Sequence, residues 1–338
     1  MIDFRYHLVS LVSVFMALAI GILLGAGPLQ NSIGEALSGE VDNLRKANNE
    51  LKAENNELVA QTEQQSEAID AAAPAILADT LTDRTVAIVR LPGVSDDDFE
   101  AVVERLTQAG ATVTAKVSLT DVWTSAEKSS YRGALASQIH TYVTGLAADA
   151  PQTTILGTAL SQSLRKGPAE ANNKTLIELL STSDDALISV DGEIAASESV
   201  VVLAPDADPV SDDPNATADA NAEAAAESSA TMYKDTVAAL ASQGATVVAG
   251  ASDSDNDVVK RVRDAKMNAS TADSLNTVVG QINVPAALAS QLEGTAVNLG
   301  FNKGASAVLG ARIEAPAAPA PAEPTDTPTP SATPTEEP

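Results

Sequence analysis

The side chains that most often do chemistry in proteins are few in this sequence, and they lie far apart. The 338 residues include no cysteine and two histidines, which excludes a disulfide, a thiolate metal site and a cysteine nucleophile. Since His7 borders a long apolar segment, a Ser-His-Asp triad would have to use His140, and no Gly-x-Ser-x-Gly motif supplies its serine. We expect His140 to be a helix-surface or packing residue and expect no catalytic residues; an enzyme of unknown type is the alternative.

Three aspartates at alternating positions, Asp253, Asp255 and Asp257, resemble the first ligands of a calcium-binding loop. Such a loop requires glycine at its sixth position and glutamate at its twelfth. This chain has Val258 and Asp264 at those positions. We therefore interpret the aspartates as the start of a helix, where carboxylates meet free N–H groups.

Other cofactor sites have little support in the sequence. Cu(I) prefers clusters of thiolates and thioethers, but Met232 and Met267 are the only methionines beyond the N-terminal segment and are distant in sequence. The turns Leu91-Pro-Gly-Val and Ala204-Pro-Asp-Ala match neither the GxGxxG nor the Walker A phosphate loop. No cofactor is evident from the residues, and metal ligands are unknown.

The formal net charge is -26, and it all lies beyond residue 34. A surface of this charge repels nucleic acid and anionic lipid, so neither is an expected partner. It attracts cations in a diffuse, salt-screened way, which does not amount to a metal site.

The N-terminal segment that precedes this acidic part is apolar. Residues from Leu8 to Gly27 carry no charge, and about 20 such residues cross about 30 Å of hydrocarbon as a helix. Arg5 precedes the segment and acidic residues follow it, so the positive-inside rule places the N-terminus in the cytoplasm and the rest outside. We assign residues 1–34 as an uncleaved membrane anchor. A cleaved signal peptide and a buried core helix are the alternatives.

Small residues recur every four positions in the anchor, at Ala17, Gly21 and Gly25. The Gly-x-x-x-Gly spacing lets two helix backbones approach closely in a membrane. We predict that this face packs against a second anchor helix.

A heptad pattern follows the anchor in residues 35–73. Leucines fill four successive d positions, and the predicted core comprises Leu37, Val41, Leu44, Asn48, Leu51, Asn55 and Leu58. Asparagine at a positions favours a parallel two-stranded coiled coil, and Glu40 at g can pair with Arg45 at e of the partner. We predict a parallel homodimer that ends at Pro74, because proline breaks a helix interior. A solvated single helix that packs on its own domain is the alternative.

The remaining sequence to residue 312 predicts an exported α/β domain. The run 85–90 is a buried strand, and Ser95 with three following aspartates begins a helix that ends at Gly110. Residues 111–119 then alternate as the next strand, which completes a βαβ unit. Residues 121–180 read as mainly helical, and further helices are expected at 257–266 and 284–292.

This unit occurs twice. Six of ten positions are identical between the segments that begin at Leu106 and Leu240. Ser199 to Leu203 is the first strand of the second copy. The second copy is longer than the first, and its additional residues fall in 206–230, which we interpret as a flexible surface insertion. The expected architecture is a mostly parallel sheet flanked by helices on both faces. Residues 313–338 are rich in Pro, Ala and Thr and form a predicted disordered tail, which is a solubilising spacer or a glycosylated one.

The N-terminal block MIDFRYHLVSLVSVFMALAIGILLGAGPL closely resembles the opening of the mycobacterial copper-transport protein family (MctB-like). The resemblance continues through the Leu/Asn heptads, the strand that ends in Leu91-Pro-Gly93 and the turn at 109–111. Near the end, the segment Ser270-Thr-Ala-Asp273, with Thr277 and Gly280, resembles the family's C-terminal signature. Leu299-Gly-Phe301 departs from the Gly-Tyr-Gly that is usual there.

The resemblance implies a copper-transport or pore-forming protein of the actinobacterial envelope, located in the outer membrane and linked to low intracellular copper. Copper as a ligand is implied by the resemblance alone. The residues instead indicate a single-pass protein of the cell membrane, with the outer membrane as the alternative. The expected function is copper homeostasis or copper transport without a catalytic site. The alternative is a non-catalytic dimeric scaffold that binds another envelope protein.

Overall fold

The structure is a computed structural model that describes residues 4–26, 28–181, 184–205 and 220–311. Contacts divide the chain into two compact units, Met1–Glu67 and Ala68–Pro338. The predicted tail at 313–338 and most of the predicted insertion lie outside the described residues.

The first unit is helical. Helix α1 spans Phe4–Ala26 and helix α2 spans Pro28–Leu77, so α2 extends into the second unit. Among the described residues, one helix is long and apolar enough to cross a membrane, over Phe4–Gly25 with a mean hydropathy of 2.6. Its side chains are exposed.

Helix α2 does not end at Pro74, and the sequence-based prediction on this point is wrong. The helix continues to Leu77, and Ala78 N still donates to the Pro74 carbonyl at 3.0 Å. Proline inside a helix costs about 3 kcal/mol. Burial of Ala73 and Leu77 in the core of the second unit, with an ion pair from Asp70, offsets that cost.

The second unit is built on a sheet of seven described strands in the order β3-β2-β1-β4-β5-β6-β7. Neighbouring strands are parallel except β2 and β3, which are antiparallel. The strands are β1 Thr85–Arg90, β2 Thr112–Leu119, β3 Ile188–Asp191, β4 Ser199–Leu203, β5 Thr246–Gly250, β6 Ser270–Asp273 and β7 Asn298–Leu299. The predicted mostly parallel sheet is confirmed.

Helices cover both faces of this sheet. They are α3 Asp96–Gln108, α4 Ser129–Ile139, α5 Gln152–Lys166, α6 Ala171–Ser181, α7 Ala220–Ser242, α8 Val258–Asp264 and α9 Val278–Leu292, with short 3₁₀ turns at Asp121–Trp123, Ala126–Lys128 and Gly167–Ala169. Successive residues of each strand alternate between two cores: Ala87 and Val89 join one, and Val86 and Ile88 join the other. The first core packs mainly against α4–α8, and the second packs against α3, α9 and the end of α2.

The two βαβ units predicted from the repeat are β1-α3-β2 and β4-α7-β5. Gly110 follows α3 at φ +89, a left-handed conformation that glycine adopts without strain. Helix α7 begins at Ala220. Residues 220–230 are therefore helical rather than part of a flexible insertion, because the helix buries Ala230 and continues into the core.

A half-buried arginine holds the amino ends of two central strands together. Arg165 on α5 donates to the carbonyls of Glu198 and Ala245 at 2.6 and 3.0 Å and to Thr246 Oγ1 at 3.2 Å. Burial lowers the pKa of its guanidinium to about 10.

Candidate functional site

In doubly wound sheets, ligands bind outside the carboxyl ends of the strands where the strand order reverses. In this sheet that position lies between β1 and β4. The two turns there contact each other: Leu91 N donates to the Leu203 carbonyl at 2.9 Å. Gly93 has φ +91, and a Cβ on it would lie 3.2 Å from Pro205 Cβ. The described turns thus pack together over the usual binding position.

The first turn of α3 borders the same edge, and side chains within it and next to it in sequence supply its hydrogen bond and its negative charge. Ser95 Oγ accepts from Asp98 N at 3.1 Å, which confirms the predicted N-cap. Asp96, Asp97 and Asp98 place three carboxylates at the positive end of the helix dipole. A phosphate would meet like charge here, so this helix N-terminus does not form an anion site.

Arg90, the last residue of β1, closes the turn from the other side. Its Nη1 donates to Asp96 Oδ1 at 2.6 Å, and its Nε donates to the Val94 carbonyl at 3.0 Å. The guanidinium lies 5.5 Å from the centre of the Phe99 ring, within cation–π range. These contacts fix the β1–α3 turn and leave Arg90 engaged with protein groups.

A buried polar cluster lies further along the same edge, at the ends of β5, β6 and β7. Arg263 on α8 and Asp273 at the end of β6 form an ion pair at 2.8 Å, with 4% and 0% of their side chains exposed. Asp273 Oδ1 also accepts from Phe301 N at 2.7 Å and Ser274 Oγ at 2.9 Å, and Oδ2 accepts from Asn302 N at 3.2 Å. We call these two residues the Arg263–Asp273 pair.

The N–H groups of Arg263 likewise donate to protein acceptors. Its Nε donates to Thr271 Oγ1 at 2.8 Å, and its Nη2 donates to the Leu299 carbonyl at 2.9 Å. Its Nη1 also approaches Ser252 Oγ at 3.3 Å. Each charged group is surrounded by protein partners, so the pair joins three strands and α8 instead of presenting a charge to a ligand.

The neighbouring acidic loop has the position predicted for it. Asp257 is the N-cap residue of α8, although its carboxylate accepts from Ser254 N at 2.6 Å instead of bonding into the helix. Asp253 Oδ1 accepts from Asn302 Nδ2 at 2.7 Å, and Asp255 pairs with Lys260 at 3.0 Å. Within the described part of the chain, no three His, Cys, Asp or Glu side chains group as a metal site.

His140, Met232 and Met267 lie in different segments of the second unit. His140 is the half-buried C-cap residue of α4, and its Nε2 lies 3.1 Å from the Ala147 carbonyl. Met267 is partly buried against the first core, while Met232 lies on α7. A helix-end packing role for His140 agrees with this geometry.

The predicted packing residues of the first unit lie on its two helices. Ala17, Gly21 and Gly25 are on α1, and a Cβ added to either glycine would meet nothing within 4 Å. The predicted heptad core, Leu37, Val41, Leu44, Asn48, Leu51, Asn55 and Leu58, lies on α2. A single chain does not test their pairing with a second copy, so both remain predictions.

Sequence reasoning missed the Arg263–Asp273 pair and Arg165. Asp273 lies in the segment Ser270-Thr-Ala-Asp273 that carries part of the family resemblance, but no strand was predicted there, so its position at the carboxyl edge of the sheet could not be inferred. No signal marks Arg263 either, since nothing local shows that a helical arginine turns inward.

Comparison with known proteins adds a family to this geometry. A family model described as "Copper transport outer membrane protein, MctB" matches residues 1–309. Proteins named "Copper transporter MctB" from Mycobacterium tuberculosis and Mycobacterium bovis are 31% identical over 198 residues, which cover 56% of this chain and 57% of each relative. The Mycobacterium leprae protein of that name is 33% identical over 120 residues, 36% of this chain and 38% of the relative.

The match with the Mycobacterium tuberculosis relative spans 57% of that protein's length, whereas the family model matches residues 1–309 of this chain. The chain belongs to the MctB family of copper transport proteins.

Proposed function

We propose that this chain is a membrane-anchored protein of the cell envelope that acts in copper homeostasis or copper transport and carries no catalytic site. The observation that supports the copper role is the family match over residues 1–309. Copper is the proposed cargo, and the residues that would contact it are unknown.

The proposed location is the cell membrane, with a single span, the N-terminus in the cytoplasm and the α/β unit exported. The apolar helix over Phe4–Gly25 supports an anchor, and Arg5 on one side with Glu40 and Asp42 on the other supports this orientation. The sheet has helices packed on both faces, which fits a water-soluble domain. The outer membrane named in the family description is the alternative location.

Deletion and complementation in the native host test the copper role. We expect deletion to change the cellular copper content and the copper concentration that stops growth, and the full chain to restore both. A chain in which another apolar helix of equal length replaces α1 should also restore them, because the proposal requires only anchoring from this helix. Unchanged copper content and tolerance in the deletion strain would remove the support for the proposal.

Envelope fractionation with protease treatment tests the location. We expect full-length protein in the cell membrane, with the tail after Glu314 cut only by protease added from outside. A shortened protein in the outer layer would mean that the N-terminal helix is a cleaved signal, and a channel in that layer would become the leading hypothesis.

A non-catalytic scaffold that binds another envelope protein is the second candidate. The observation that favours it is the saturation of polar groups at the carboxyl edge, where the Arg263–Asp273 pair and the turns at Leu91 and Pro205 bond or pack against protein groups. Cross-linking in intact membranes should then recover a second envelope protein with this chain. Recovery of this chain alone would count against the scaffold.

A further inference from the structure

The part of helix α2 in the first unit carries an apolar stripe that faces solvent. Val41, Leu44, Leu51 and Leu58 are 39%, 62%, 64% and 55% exposed. They are three, seven and seven residues apart, so they share one side of the helix. An exposed leucine on its own needs no explanation, but apolar residues that recur on one side of a helix over several turns indicate a partner.

The structure shows where this stripe ends. The a position after Thr62 is Ile69, which packs in part against the second core of the α/β unit, followed by fully buried Ala73 and Leu77. The d position between Thr62 and Ile69 is occupied by Gln65, which is polar. A partner for the stripe is therefore confined to residues 37–62, and the later turns of α2 belong to the fold of the second unit.

Charges beside the stripe are complementary to those of a second copy in parallel orientation. Glu40 is at a g position and Arg45 is at the e position of the next heptad, and these positions meet across a parallel two-stranded coil. The contact of Arg45 within its own helix, to Asp42 at 3.6 Å, involves side chains that are 75% and 67% exposed. Such an exposed pair is weak, so it leaves Arg45 able to pair with another chain.

The polar residues within the stripe select the number and register of the chains. Asn48 and Asn55 are at consecutive a positions. Buried asparagine at a costs stability unless it bonds its equivalent across the axis of a parallel dimer, so it disfavours shifted registers and larger bundles. Two asparagines one heptad apart would both lose their partners in an antiparallel pairing or after a shift of two heptads.

We propose that residues 37–62 of α2 bind a second copy of this chain as a parallel, in-register, two-stranded coiled coil, whose register is set by Asn48 and Asn55 and whose end is set by diversion of Ile69 into the α/β core. This interface extends the proposed function by naming a partner and does not rest on the copper role. Cross-linking tests the proposed dimer, whereas measurements of cellular copper test the proposed copper role. One proposal can therefore fail while the other holds.

The absence of cysteine from the chain makes a direct test available. In full-length protein in its membrane, single cysteines are introduced at d positions (Leu44→Cys, Leu51→Cys or Leu58→Cys). Matched controls lie on the opposite side of the helix at f (Lys46→Cys, Ala53→Cys or Ala60→Cys). The membranes are then treated with a short bis-maleimide linker, and covalent dimer is measured by electrophoresis.

We expect each d variant to form covalent dimer in several-fold greater yield than the f variant nearest to it, because only equivalent d residues face each other in a parallel register. Cross-linking at Leu51→Cys with none at Leu44→Cys and Leu58→Cys would indicate an antiparallel pair and overturn the proposal. Equal yields at d and f positions, or no dimer at any position, would also overturn it.

Charge reversal provides a second measurement in unlinked full-length protein, by light scattering in mild detergent. Arg45→Glu and Lys46→Glu make the same change of charge at adjacent residues, one at e and one at f. We expect Arg45→Glu to lower the dimer fraction several-fold and Lys46→Glu to leave it unchanged. The double variant Glu40→Arg/Arg45→Glu should restore the dimer. Monomeric wild-type protein, or equal effects of the two single changes, would contradict the proposed interface.

Discussion

Replacement of Asp273 by asparagine should strongly destabilise the α/β unit. The side chain is 0% exposed and accepts four hydrogen bonds, from Arg263 Nη1, Ser274 Oγ, Phe301 N and Asn302 N. Three of these partners, Arg263 Nη1, Phe301 N and Asn302 N, are N–H groups that can only donate. The amide group of asparagine would therefore turn its own N–H donors toward at least one of them, whichever way it is rotated.

The expected magnitude follows from the burial of the partner. Only 4% of the Arg263 side chain is exposed, so Asp273→Asn leaves a buried positive charge without its counter-charge. Breaking a buried ion pair by removing one partner costs about 3–5 kcal/mol. A single domain is typically stable by about 5–15 kcal/mol, so the change would remove a large part of the total.

Asp96→Asn is the matched control, because it makes the same chemical change in another aspartate–arginine pair. Asp96 pairs with Arg90 at 2.6 Å, but 89% of its side chain is exposed, and exposed pairs contribute about 0–1 kcal/mol. The assay is urea unfolding of the full chain in detergent, followed by circular dichroism. Changes in the transition midpoint at constant slope give the change in unfolding free energy.

A loss for Asp273→Asn no larger than that for Asp96→Asn would refute the reasoning. A double-mutant cycle provides an independent check, since Arg263→Met in the Asp273→Asn background removes the stranded charge. The double variant should lose less stability than the sum of the two single variants. Strict additivity would mean that the two groups do not stabilise each other.

Three further predictions concern other parts of the molecule. Gly300→Ala should destabilise the fold more than Gly294→Ala in urea unfolding. Both glycines have positive φ, but a Cβ on Gly300 would overlap the Asp273 carboxylate, whereas a Cβ on Gly294 would meet open space and add only about 1–2 kcal/mol of backbone strain. Equal losses of stability would contradict this prediction. Gly21→Leu should lower the dimer fraction of the full chain in mild detergent, because the larger side chain blocks the close approach of two α1 helices. Ala19→Leu, on the opposite side of α1, should leave the dimer fraction unchanged. Equal effects of the two substitutions would argue against packing through the small-residue face. Burial raises the pKa of Tyr233 above its ordinary 10.0, so the phenol of the folded protein loses its proton at a higher pH than that of the unfolded chain. The contribution of Tyr233 to the free energy of unfolding is therefore full below pH 10.0 and falls as the pH rises further. Ultraviolet titration should therefore show a late phenol ionisation that Tyr233→Phe removes. A high-pH end of the titration that this substitution leaves unchanged would contradict the assignment.

Much of the α/β fold follows from local signals. The cap at Ser95, the left-handed Gly110 and the run of β-branched residues in β1 each act over a few residues, so the sequence predicts β1-α3-β2 and its repeat. The strand β6 was not predicted, because Ser270-Thr-Ala-Asp is short and polar. It becomes a fully buried strand through pairing with β5 and β7.

The Arg263–Asp273 pair is likewise a product of tertiary structure. Helix α8 and strand β6 are adjacent in sequence, but three further partners of the pair come from the end of β7 and the turn after it: Leu299, Phe301 and Asn302. No local pattern relates residues that far apart. Only the order of the strands brings them to one edge.

Helix α2 shows both contributions in one element. The sequence by itself determines the apolar N-terminal helix and the heptad stripe from Leu37 to Leu58, since hydropathy and periodicity are properties of consecutive residues. The sequence also predicts, wrongly, that the helix ends at Pro74. The local cost of proline can be read from the sequence, whereas the compensating burial of Leu77 cannot. Only the tertiary structure decides that the helix continues, and that Ile69 packs in the α/β core, since both depend on contacts with residues distant in sequence.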